Sequence, residues 1–152
     1  DTLSGAAGTT VLAGENGWTE VKGCPLYSKD DSGTANKQLA KLFKDNPKLD
    51  VAVLVGGWAM FDAKGFSKTV SKVKKRLADN SLVIVSGDTL PMQIDALKAG
   101  SVQGLVGGLP VVMGKTAPEV MIKLINGEDV PDKVSSTQAK CTAGTAETCL
   151  TP

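Results

Sequence analysis

Short apolar runs and amphipathic stretches alternate along most of this chain. Val51–Val55, Leu82–Val85 and Val102–Val106 each end in a polar or glycine-rich turn. Runs of this length are expected of strands buried on both faces of a parallel sheet. Around and between them the period changes. Ala35, Leu39, Leu42 and Phe43 recur at i, i+4, i+7 and i+8, one stripe of a helix that Thr34 can cap and Asn46-Pro47 ends. Phe66, Val70, Val73 and Leu77 mark a second helix, Pro91–Ala99 a third and Pro110–Asn126 a fourth. Pro91 and Pro110 suit a first helical turn, and Gly100 and Gly127 suit C-terminal caps. Pro118 should kink the last helix or delay its start to near Thr116.

This rhythm predicts an α/β, mainly parallel, three-layer domain. Ligands of such sheets bind at the carboxyl ends of the strands. Asp88 falls just past Leu82–Val85, Gly107-Gly108 just past Val102–Val106, and Trp58 behind Gly56-Gly57 at the end of Val51–Val55. The ends of the chain are less regular. Residues 2–13 are small and weakly helical, and 14–17 form a turn. Trp18–Tyr27 is strand-like but irregular, because Gly23 and Pro25 interrupt it. After Pro131 the chain is polar and extended, so residues 1–130 make the folded unit and 131–152 a tail.

Composition narrows the chemistry. With 17 basic and 16 acidic residues in 152, no net field favours nucleic acid. Lys64, Lys68, Lys72, Lys75 and Arg76 read as a solvated helix face, since no aromatic residues are interleaved for base stacking. No apolar run approaches the roughly 20 residues of a membrane helix. The chain has no histidine, which removes the usual general base, and its cysteine spacing matches no common zinc pattern. Cys141 and Cys149 fit a short-loop disulfide, which implies an oxidising compartment, and Cys24 reads as a buried thiol. Gly114-Lys115-Thr116 is a P-loop decoy, because the glycine that motif needs five residues before Gly114 is Leu109. Neither a metal, a cofactor nor catalysis is expected.

The motifs also carry a resemblance. SGDTLP, LKAGSVQGLVGGLPVVMG and VMIKLINGEDVP, with VLVGGW before them and CTAGTAETC after, resemble the second half of a type 1 periplasmic sugar-binding protein. Members of that family are bilobal receptors of ABC importers and about twice this long. The resemblance therefore implies a carboxyl-terminal lobe, with the amino-terminal lobe and even the opening strand of this one missing. It also implies a periplasmic location, a membrane permease as partner, and a small sugar or polyol held in an interlobe cleft.

By the same resemblance, Asp88 accepts hydrogen bonds from two sugar hydroxyls; capping the turn before Pro91 fits it as well. Trp58 stacks on the sugar or caps the sheet as a core residue. Gly57 permits close approach, while Asp31 adds a polar contact or serves only its turn. Gly108 departs from the family pattern, standing where many relatives carry a sugar-binding glutamine. Two other readings keep the α/β fold: the effector core of a sugar-responsive regulator, and a flavodoxin-like enzyme domain.

Overall fold

In the computed structural model, residues 17, 19–135 and 137–149 are described. The helix expected over 2–13, most of the turn before Gly17, Trp18 and the last three residues lie outside them.

The chain folds as α1 (Ser32–Asp45), β1 (Val51–Leu54), α2 (Trp58–Phe61), α3 (Ala63–Ser71), α4 (Lys74–Ala78), β2 (Val83–Gly87), α5 (Pro91–Lys98), β3 (Gly104–Gly108), α6 (Pro110–Ile125) and β4 (Gln138–Thr142). The four strands form one sheet in sequence order. β1, β2 and β3 are parallel, so their carboxyl ends share one rim, while β4 runs antiparallel to β3. The α/β, mainly parallel architecture is the one the apolar rhythm predicts.

One core binds these elements. Leu39 and Phe43 of α1, Met60 of α2, Phe66 and Val70 of α3, Leu77 of α4 and Leu97 of α5 pack with Leu54, Ile84, Leu105 and Cys141 of the sheet. Burial alternates along each strand, and that corrects the expectation of strands buried on both faces. Ala52 and Leu54 are inside, whereas Val51 and Val55 are each 46% exposed. Among the described residues, helices cover only one face of the sheet with buried side chains.

Several boundaries also move. α1 starts at Ser32 because Asp31, not Thr34, is its cap: the Asp31 carboxylate accepts from Thr34 N at 2.6 Å. The helix expected over 66–77 breaks at Lys72–Val73 into α3 and α4. Arg76 of α4 then donates to the carbonyls of Leu49 and Ser81, tying together the approaches to β1 and β2. Segment 19–27 is not a strand; Gly23 has φ +92°, and among the described residues no strand pairs with it. α6 runs through Pro118 without interruption, yet none of its residues is buried. The proline there loses only one backbone bond in a helix that water reaches.

The tail is more ordered than its polar sequence implies. Ala139 and Cys141 alternate inward along β4, and Leu105 sits opposite Cys141. Cys141 and Cys149 form a disulfide with Cα atoms 5.3 Å apart. Cys24 is only half-buried; desolvation first, and Glu20 second, push its thiol pKa up.

A candidate ligand site at the carboxyl rim of the sheet

Asp88 is the first residue after β2, and its backbone is left-handed, with φ +67°. That conformation costs an ordinary L-residue energy but suits a short polar side chain better than most. It turns the chain sharply at the strand end and leaves Asp88 exposed. Gly57 N donates to Asp88 Oδ2 at 3.3 Å, so the turns after β1 and β2 are tied together. The carboxylate keeps further acceptor capacity, because it can take about four hydrogen bonds.

Trp58 follows at once as the first residue of α2, half-buried against the core. Its indole lies over Gly56: a Cβ there would come within 2.7 Å of Nε1. The ring also meets Phe61, with centroids 5.4 Å apart and planes tilted by 31°. Trp58 thus anchors in the core on one side while its ring neighbour Phe61 stays exposed.

Glycines let these turns close up. A Cβ on Gly87 would lie 1.9 Å from Val55 O, and one on Gly107 would lie 2.6 Å from Thr89 Oγ1. Both positions therefore fix the Asp88 turn between β1 and β3. Gly57 is buried, and its open side is filled by Gln93 rather than left free. Gly107 and Gly108 are the last residues of β3 rather than part of a turn beyond it. Gly108 faces Met113, whose sulfur is 3.2 Å from where a Cβ would sit.

Of the five residues singled out in the sequence, Asp88, Gly57 and Trp58 come together directly, and Gly108 shares their rim. Asp31 stands apart. Its carboxylate caps α1, and hydrogen bonds from Thr34, side chain before backbone, hold its pKa below the ordinary value. Among the described residues no hydrogen bond joins it to the other four.

Thr89, Gln93 and Met113 also shape the rim, and sequence reasoning passed over all three. The signal for Gln93 was its place beside Ile94 and four residues before Leu97, a polar side chain on a buried face. It was hidden because Leu90, three residues earlier, is not the Ser or Thr of a capping box.

The chain matches a known class. The profile of the periplasmic binding protein domain family covers residues 6–129, and the chain belongs to that family. Among solved structures, an ABC transporter solute-binding protein from Agrobacterium vitis with bound D-fucose is 19% identical, with a TM-score of 0.77 over 94% of this chain and 47% of its own. A second from the same organism, bound to α-D-tagatopyranose, is 16% identical, with a TM-score of 0.75 over 94% and 45%. GanP, a glucose-galactose binding protein from Geobacillus stearothermophilus, is 23% identical, with a TM-score of 0.64 over 77% and 40%. The chain thus spans less than half the length of these structures. No curated protein sequence matches it significantly.

Proposed function

We propose that this chain supplies one wall of the ligand cleft of an ABC-importer solute-binding protein, and that the ligand is a small neutral sugar or polyol. The observation that carries this reading is the Asp88 turn: an exposed, acceptor-only carboxylate held in a left-handed conformation at a strand end and tied to the turn that bears Trp58. Strained backbone of this kind concentrates at ligand sites. Vicinal hydroxyls supply paired donors to such a carboxylate, and the C–H faces of a sugar ring suit the indole. The sugars in the related structures support the class of ligand without naming it.

Trp58 and Asp88 hold the ligand from this side, and Gly108 with Met113 presents an apolar floor where a polar side chain would otherwise reach in. Asp31 contributes at most through the shape of its turn. The opposite wall belongs to an amino-terminal lobe, and hinge closure around the ligand presents the receptor to a membrane permease. The Cys141–Cys149 disulfide fits a periplasmic setting and counts against a cytoplasmic regulator. No covalent step is assigned to any residue.

The test is a titration of the chain with neutral pentoses, hexoses and polyols, followed by backbone-amide and indole NMR. Shifts clustered at Trp58, Asp88 and Gly108 for one sugar are expected, and Asp88→Asn should weaken binding about tenfold, the worth of one charge-assisted hydrogen bond. Binding that leaves Asp88→Asn unaffected would remove the carboxylate from the site.

A further inference from the structure

Gln93 sits at the third position of α5 and is fully buried, with 0% exposure. Its Oε1 accepts from Leu90 N at 2.7 Å, fixing the chain two residues beyond Asp88. Among the described residues its Nε2 has no hydrogen-bond partner, although buried polar groups are ordinarily paired. That nitrogen points at Gly57, where a Cβ would lie only 2.1 Å from Nε2 and 2.9 Å from Cδ. Gly57, in turn, is the residue whose N–H holds Asp88 Oδ2. One carboxamide therefore touches both turns of the rim.

We propose that Gln93 is a positioning residue for the ligand site: clasped between Leu90 N and Gly57, its carboxamide sets the Asp88 turn against the turn that carries Trp58. An apolar side chain of equal length would fill the same space but leave Leu90 N without its acceptor. The absence of a side chain at Gly57 then serves Gln93, not the ligand. Small displacements of binding groups are costly, so a clasp of this kind acts on affinity through Asp88 and Trp58 without touching the ligand itself. The inference rests on the reading of Asp88 and Trp58 as ligand groups.

The test uses the full chain and five forms: wild type, Gln93→Met, Gln93→Ala, Gly57→Ala, and Gly57→Ala combined with Gln93→Ala. Gln93→Met should move the amide signals of Gly57, Asp88 and Leu90 and the indole signal of Trp58, and should weaken sugar binding about tenfold. Gly57→Ala should lower the melting temperature, and removing the Gln93 side chain from that variant should restore more than half of the loss. Unmoved Gly57 and Asp88 signals in Gln93→Met would overturn the clasp. So would simply additive losses in the double variant. If wild type binds none of the sugars, the sugar-binding reading fails, while the amide signals and the double variant still decide on the clasp.

Discussion

Asp31 and Asp88 show how one residue type at two turns acquires different work. Both precede a helix, and the sequence offered each as ligand group or cap. Asp31 directs its carboxylate to Thr34 N and so is occupied by its own helix. Asp88 is instead held from outside, by Gly57 N across 31 residues of sequence, a contact that only the register of β1 and β2 creates. The cap on α1 makes a pH prediction. Because the folded-state pKa of Asp31 is lowered, its contribution to stability is complete above the unfolded carboxyl value of about 3.9 and is lost as pH falls through the lower folded value. Asp31→Asn should therefore lose part of the steepening of acid denaturation below about pH 4. Melting curves taken through that range check it, and identical slopes in the two proteins would show that the cap carries no linked proton.

At the level of elements, apolar runs and helical stripes located the three parallel strands and every longer helix that buries side chains, but not the short α2, which buries Ala59 and Met60. What they missed were features set by partners far away in sequence. β2 and β3 begin one and two residues later than their apolar runs because pairing, not hydropathy, places the ladder; Leu82 and Val102 enter the core just before it. Residues 19–27 had strand-forming composition but form no ladder with the four strands among the described residues. Gln138–Thr142 had little apolar content but found the free edge of β3, and its two inward side chains suffice. The Cys141–Cys149 loop holds this last element. Opening so small a loop should cost about 2.5 kcal/mol by the chain-entropy estimate, or roughly 5–10 °C in Tm. Cys149→Ser is the suitable variant, since it leaves Cys141, 1% exposed, in the core. An unchanged Tm would mean that β4 is held by its ladder alone.

For the molecule as a whole, the uneven burial of the sheet matters most. Val51, Val55 and Val106 are 40–46% exposed, and α6 leaves Val111, Met121, Ile122, Leu124 and Ile125 exposed as well. Apolar patches of this kind are uncommon on solitary monomers and mark surfaces of association. The chain should therefore show a sedimentation coefficient that rises with concentration, together with binding of an apolar dye. A concentration-independent monomer that binds no dye would show that these exposed side chains do not form an associating surface. The rim has a different long-term consequence. Side chains at Gly57, Gly87 or Gly107 would meet neighbours at 1.9–2.6 Å, so mutation can scarcely explore those positions. Gly108 meets only the tip of a flexible methionine, at 3.2 Å. Of these four glycines Gly108 is therefore the one open door, and a lineage that reshaped the rim would be expected to record the change there.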